Sequence, residues 1–369
     1  MSTPKLFEPL EVGGLALDNR IVIAPMCMYS AEDGCMTDWH AVHLGQLALS
    51  GAGILTIEAT AVTPEGRISH ADVGLYDDRT EAAMARVLAQ VRAVSAMPVA
   101  IQLGHAGRKA STHRPWESGA QLAADDPRGW QTEAPSALAF AQTDRAPVAL
   151  TPADLDRLCD AFAEAARRSA RLGLDAIQIH AAHGYLLHQF LSPLSNTRTD
   201  GWGGDLAGRM RFPLAVFEAV KAAVPASMPV TVRLSGTDWV EGGWDLEGTI
   251  AFSKALAERG CDAIHVSSGG LHPAQQIPVG PGYQVPLARA VKQALPDMPV
   301  VAVGLITDYD HAESIVATGD ADMVAIARGA LYDPRWPWHA AAHLGATVKA
   351  APQYLRCQPR QYRELFTKA

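Results

Sequence analysis

The sequence predicts an α/β protein built as a closed (β/α)8 TIM barrel, and three observations carry that prediction. Short apolar segments rich in valine and isoleucine recur along the 369 residues, a stretch of helical character follows each, and eight such units are counted. Continuous apolar strands are covered on both faces, as in parallel sheets with crossover helices. Eight units close most simply into a barrel, and this length suits one barrel better than one ordinary core. A doubly wound open sheet is the competing architecture.

The elements follow in order. "LFEPLEVGGLALDNR" sets Gly-Gly between two short apolar runs and predicts an N-terminal hairpin plugging the lower end of the barrel. The strands are "RIVIAPM" from Arg20, "GAGILTIEA" from Gly51, "MPVAIQL" from Met97, "LDAIQIH" from Leu174, "MPVTVRLS" from Met228, "CDAIHVS" from Cys261, "MPVVAVG" from Met298 and "ADMVAIA" from Ala321. Before the fourth strand Thr151 suits an N-cap and Pro152 the first helical position. Leu155, Leu158, Phe162 and Ala166 then form an inward stripe, and Gly173 ends the helix. Residues 105–150, after the third strand, are too long for an ordinary βα loop, and loops of that length are usually functional. With no linker or internal repeat, residues 1–369 read as one domain with a C-terminal tail from about 346.

Composition excludes whole classes of partner. Hydrophobic residues make up 48% of the chain and its formal net charge is -8, so no basic footprint exists for nucleic acid or an anionic membrane. "MSTPKLFEPLEVGG" carries neither an export signal nor an apolar span, and a cytoplasmic protein is expected. The five cysteines, Cys27, Cys35, Cys159, Cys261 and Cys357, are odd in number and lack CxxC spacing, which fits reduced thiols better than disulfides or zinc.

Barrels of this kind carry their reactive groups at the carboxyl ends of the strands. The residues expected there are Cys27, Glu58, Gln102, His180, Arg233, Ser267, Gly304 and Arg328. No lysine is among them, which argues against a Schiff-base aldolase, and the single carboxylate, Glu58, argues against a glycosidase. The first strand ends in "APMCMYS" instead of the His-x-His of a binuclear hydrolase. A site short of its own acid, base or metal but supplied with donors and cations points to a bound cofactor. Arg328 and the glycines Gly269, Gly270 and Gly304 lie where barrels hold a phosphate; turn glycines and a surface arginine are the plainer reading. Arg233 lies within a strand, where a charge needs a partner, and an anionic ring edge is one.

"DAIQIHAAHGYLLHQF" places His180 and His183 where the fourth strand leaves the core. The same spacing in "WHAVH", at His40 and His43, shows that HxxH alone is ambiguous. At a strand end, two neutral imidazoles can donate N–H bonds to one substrate oxygen, and the Tyr185 phenol is suited to giving up a proton.

Several long motifs, in order and across nearly the whole chain, resemble the Old Yellow Enzyme family, in its bacterial thermophilic-like (xenobiotic reductase A-like) branch of FMN-dependent ene-reductases. They are "APMCMYS", "EATAVTPEGR", "IQLGHAGRKA", "IHAAHGYLLHQFLSPLSNTRTDGWGG", "GPGYQVP" and "VGLIT". The resemblance implies FMN across the barrel mouth, with NADPH or NADH as reductant. Pro25, Met26, Cys27 and Ala59 would line its ring, Gln102 would bond its pyrimidine edge, and Arg233 would face the edge where charge collects on reduction. Gly304 and Arg328, with Gly269 and Gly270, would hold the phosphate. His180 and His183 would anchor a carbonyl or nitro oxygen, Tyr185 would donate the proton, and Tyr29 would be a second substrate contact. Cys27 would tune the flavin instead of acting as nucleophile. Met28 departs from the branch, which often has Gln there. In the branch's tail an arginine enters the neighbouring subunit's site; Arg356 is the candidate here, with Arg360 and Arg363 competing, so a homodimer or homotetramer is expected.

The implied substrates are small molecules: enones, enals and nitro compounds. One rival within flavin chemistry, a demethylase or dienoyl-type reductase, would bring an iron–sulfur cluster, for which no cysteine cluster exists. A second rival is a metal-dependent hydrolase using His180, His183 and His188. A non-catalytic binding barrel is the third.

Overall fold

All eight apolar segments form strands in the computed structural model, which describes residues 3–368. They are β1 (Ile21–Ile23), β2 (Ile54–Ala61), β3 (Val99–Gly104), β4 (Ala176–Ala181), β5 (Val230–Ser235), β6 (Ile264–Ser267), β7 (Val300–Ala302) and β8 (Met323–Ile326). Each pairs in parallel with its sequence neighbours and β8 returns to β1, closing an eight-stranded barrel. The doubly wound alternative is thereby excluded, since it leaves two open edges.

A helix follows each strand and covers the outer face. The helix Pro152–Arg171 behaves as its sequence requires. The Thr151 hydroxyl accepts the Asp154 N–H, Pro152 opens the first turn, and Leu155, Leu158, Phe162 and Ala166 are all buried.

The N-terminal plug is present. Leu10–Val12 pairs antiparallel with Leu15–Leu17 through a turn in which Gly13 and Gly14 both have positive φ. Val12 and Leu17 meet Val22, Ile54, Ala100, Ala176, Ala263, Val301 and Met323 inside the lower barrel. That apolar layer shuts the lower end, which leaves the carboxyl end as the face open to chemistry.

Register places the inward polar residues on shared rungs. His180 lies opposite Arg233, Arg233 opposite His265, and Gln102 opposite Gln178. Gln102 donates its amide to Gln178 at 2.8 Å, and Gln178 lies 3.3 Å from His265 Nδ1, so a buried polar chain crosses the barrel beneath the mouth.

One strand-end expectation is corrected. Glu58 does not end β2; the ladder slips between Ile57 and Ala59, making Glu58 a bulged residue and setting Ala59 opposite Gln102. The tail folds back on its own barrel: Phe366–Lys368 pairs with Val348–Ala350, and the Trp338 and Phe366 rings lie 4.7 Å apart. Among the described residues no helix is long and apolar enough to cross a membrane.

Candidate active site

Where β4 ends, the chain turns through "AAHGY", and a set of close fits fixes the turn. His183 has φ 59°, a left-handed conformation that non-glycine residues adopt only when held there. Its N–H donates to Ser235 Oγ at 3.0 Å, and its carbonyl accepts from the Lys109 ammonium at 2.8 Å. Lys109 also donates to the Gly270 carbonyl at 2.8 Å, so one amine ties the β4 corner to the loop after β6. A Cβ on Gly184 would sit 2.1 Å from the Gly270 oxygen, which makes glycine obligatory at this approach.

The corner brings the expected trio together. The His180 and His183 rings are 5.1 Å apart at 89°, and the His180 and Tyr185 rings are 4.9 Å apart at 81°. His180 Nδ1 accepts the Ala182 N–H at 3.3 Å, which leaves its proton on Nε2. His183 Nε2 lies 2.7 Å from Ser267 Oγ.

Electrostatics keep all three groups neutral. Desolvation, then the Arg233 charge, hold both histidines well below their ordinary value, with the Lys109 charge adding to this. Burial pushes the Tyr185 phenol well above its usual range, and nearby Cys27, Tyr29 and Asp72 add to the rise. Two neutral imidazoles and a protonated phenol therefore share the mouth at physiological pH.

Arg233 is buried and among the described residues has no acid within ion-pair distance; its Nε has no hydrogen-bond partner. Burial lowers it to about 10, while Cys27, Tyr283 and Tyr185 oppose the shift. A buried cation left unpaired is costly, so this geometry calls for an electron-rich ligand.

The segment after β1 forms another wall. Pro25 is buried and Met26, Cys27 and Tyr29 are half-buried, with Tyr29 at φ 50°. Glu58 holds this segment: it accepts the Met28 N–H at 2.9 Å and lies 3.3 Å from His40 Nε2. His40 Nδ1 accepts the Thr37 N–H at 2.9 Å, so the imidazole of "WHAVH" is a structural strut. Burial, then Asp72 and Glu58, push the Cys27 thiol well above its usual value, which suits a neutral thiol and not a nucleophile.

One expectation is corrected and one rival reading loses its ligand set. Gly269 and Gly270 do not present free amides to a phosphate: the Gly269 N–H bonds the Thr237 carbonyl at 2.9 Å and the Gly270 N–H bonds Gln275 Oε1 at 2.6 Å. The positive φ of Gly270 serves the packing of the β6 loop against His183, and that of Gly269 the approach to Gln275, Ile277 and Trp239. His188 is turned away from the mouth, with Nδ1 accepting the Gly184 N–H at 2.9 Å and Nε2 2.9 Å from the buried Asp238 carboxylate. A His180–His183–His188 metal triad does not form, and among the described residues no cluster of three or more metal-ligating side chains exists.

Gly304, after β7, has φ 130°, and Arg328, after neighbouring β8, is exposed. Arg356 is exposed on the tail. Sequence reasoning passed over Lys109 and Asp72. Lys109 stands in plain view in "GHAGRK", but its partners lie 74 and 161 residues away. Asp72, buried in the loop after β2, accepts the Ser69 N–H at 2.6 Å; burial raises it to about 7.

The pattern common to the NADH:flavin oxidoreductase / NADH oxidase family matches residues 5–346. The chain belongs to this family, the Old Yellow Enzyme family. An NADH:flavin oxidoreductase of Gibberella zeae is 42% identical over 365 residues, covering 95% of this chain and 88% of that protein. The NADPH dehydrogenase of Bacillus subtilis is 40% identical over 354 residues, covering 95% of this chain and 98% of its own. Among solved structures, morphinone reductase matches with TM-score 0.76 and 28% identity, covering 100% of this chain and 94% of that one. A complex of 2-naphthoyl-CoA reductase with 2-naphthoyl-CoA matches with TM-score 0.82 and 25% identity over 93% of this chain and 52% of that one. As an Old Yellow Enzyme family member the protein is an FMN-dependent NAD(P)H oxidoreductase. The residues present fit FMN, because the unpaired Arg233 is the counter-charge that an electron-rich flavin edge completes.

Proposed function

We propose that the protein reduces the activated C=C bond of α,β-unsaturated carbonyl or nitro compounds. One observation carries this reading: two neutral imidazoles and a protonated phenol converge beside an unpaired buried arginine. FMN, when bound, would supply the hydride chemistry, with NADPH or NADH as the reductant.

The chain's own residues do the rest. His180 and His183 donate N–H bonds to the substrate oxygen, stabilising negative charge that grows there as the β-carbon is reduced. Donors fixed in advance cost no reorganisation, which is the use of the Lys109 clamp on His183. Tyr185 delivers a proton to the α-carbon; its raised pKa keeps that proton in place until negative charge develops. Tyr29 contacts the substrate from the opposite wall.

The same reading assigns the flavin ring to Pro25, Met26, Cys27 and Ala59, its pyrimidine edge to Gln102 and Arg233, and its phosphate to Gly304 and Arg328. Gly269 and Gly270 shape the corner instead. Arg356 is assigned to the site of a neighbouring subunit in a homodimer or homotetramer.

Anaerobic titration of the yellow protein with NADPH and NADH, followed by a panel of enones, enals and nitroalkenes, tests the proposal. Bleaching by nicotinamide and return of colour with the panel are expected. Bleaching with no reoxidation by any of these compounds refutes the substrate class.

A further inference from the structure

The long loop after β3, residues 105–150, does more than cap the barrel. Its two arms enclose a cavity of about 300 Å³ whose walls include Tyr29, Ile68, Lys109, Thr112, Gln121 and Phe140. A cavity of roughly 150 Å³ already accepts benzene, so this one has room for a substituted aromatic ring.

Three of these walls also touch the proposed active site. Lys109 bonds the His183 carbonyl and lies 5.1 Å from the centre of the Tyr185 ring. Ile68 also lines the small cavity beside His180 and Tyr185. Tyr29 belongs to the segment after β1, and Trp116 of the loop meets its ring edge-on at 6.0 Å. The chamber therefore opens beside the reacting centre.

Its chemistry is uneven in a telling way. Tyr29 and Phe140 give aromatic surface, and the Lys109 amine lies 4.8 Å from the Phe140 ring centre. An ammonium has three N–H donors. Two go to the His183 and Gly270 carbonyls; the chamber's one acid, Asp144, stands near the second cation of its wall, Arg108, and among the described residues no carboxylate lies within ion-pair distance of the Lys109 amine. The third donor and the charge are left for a ligand.

We infer that this chamber is a second substrate pocket, which holds the part of the substrate beyond the double bond and favours an aryl group bearing an anionic or hydrogen-bond-accepting substituent. The inference rests on the ene-reductase reading above and adds a substrate class to it.

Holoenzyme assays with three substrates test it: cyclohexenone, which is too short to enter, cinnamaldehyde, and 4-carboxycinnamaldehyde. For the natural sequence, kcat/KM is expected to be about 10-fold higher with the carboxylate than with cinnamaldehyde. Ala141→Trp places bulk in the chamber without touching the β4 corner. It is expected to lower kcat/KM for both aryl aldehydes by about 10-fold or more and to leave cyclohexenone within about twofold. Ala120→Trp fills the chamber from the other arm and serves should Ala141→Trp lose its flavin. Equal treatment of the two aldehydes by the natural enzyme, or losses shared by cyclohexenone, overturns the inference. Failure of the natural enzyme on all three, by contrast, overturns the reading beneath it.

Discussion

Lys109 Nζ and the His183 carbonyl oxygen lie 2.8 Å apart, and this bond joins a cation on the β3 loop to the residue proposed to grip the substrate. Hydrogen bonds from a charged donor contribute about 1.5–3 kcal/mol each, so Lys109→Met releases a strained corner. We expect kcat/KM for cyclohexenone to fall about 10-fold or more with flavin retained. Because Lys109 works through His183, adding Lys109→Met to His183→Ala should cost little further. Additive losses in that double-mutant cycle contradict the clamp.

His180→Ala with His183→Ala is expected to leave a yellow protein whose turnover with cyclohexenone falls about 100-fold or more, since both proposed donors to the substrate oxygen vanish together. Tyr185→Phe should separate the half-reactions. Oxidation of nicotinamide proceeds, while reoxidation by the enone slows about 100-fold, the usual contribution of a positioned acid. Stopped-flow absorbance of the flavin reads both phases.

Arg233→Met removes a buried charge that has no acid within ion-pair distance among the described residues and whose Nε lacks a hydrogen-bond partner. Replacing such a charge by an apolar side chain of similar length stabilises the apoprotein or leaves it neutral, whereas the flavin loses its counter-charge. The apoprotein is thus expected to melt no lower than the natural one while FMN affinity drops about 100-fold or more. Calorimetry and FMN titration together decide it; a large fall in apoprotein melting temperature contradicts the assignment.

Acid should destabilise the fold through its histidines. Burial holds His43 at about 4 and His105 at about 3, and keeps His180, His183 and His265 well below the ordinary value of 6.5. As pH falls below 6.5 the unfolded chain takes up protons that the folded chain refuses, so stability present above 6.5 is lost progressively toward pH 4. Asp72, raised to about 7, acts in the opposite sense, its contribution being present at low pH and fading as pH rises through 7. Five groups outweigh one, and the melting temperature is expected to drop between pH 7 and pH 5. Substrate anchoring by the neutral histidines should stay level across that range.

Much of the molecule was legible because barrel strands announce themselves locally. Apolar runs named all eight strands, Gly-Gly named the plug, and Thr151-Pro152 named a helix start, each from a few adjacent residues. His180, Arg233 and the position of Tyr185 followed, because a residue's place along a strand fixes its height in the barrel.

Glu58 marks where that logic stops. A one-residue slip in pairing with β3 converts an apparent strand-end acid into a strut for Met28 and His40. Gly269 and Gly270 look like a phosphate turn in one dimension, yet in three they exist so that two loops can touch. His188 shares a helical turn's spacing with the site but is claimed by Asp238.

The sequence by itself determined the barrel, its open end, and the imidazoles and arginine that face it, since hydrophobic period and strand position are local properties of the chain. Only the tertiary structure decided which polar groups were left over to act. Partnership depends on distances between residues such as Lys109 and Gly270, 161 positions apart, and a group is available for chemistry only when no such neighbour has already satisfied it.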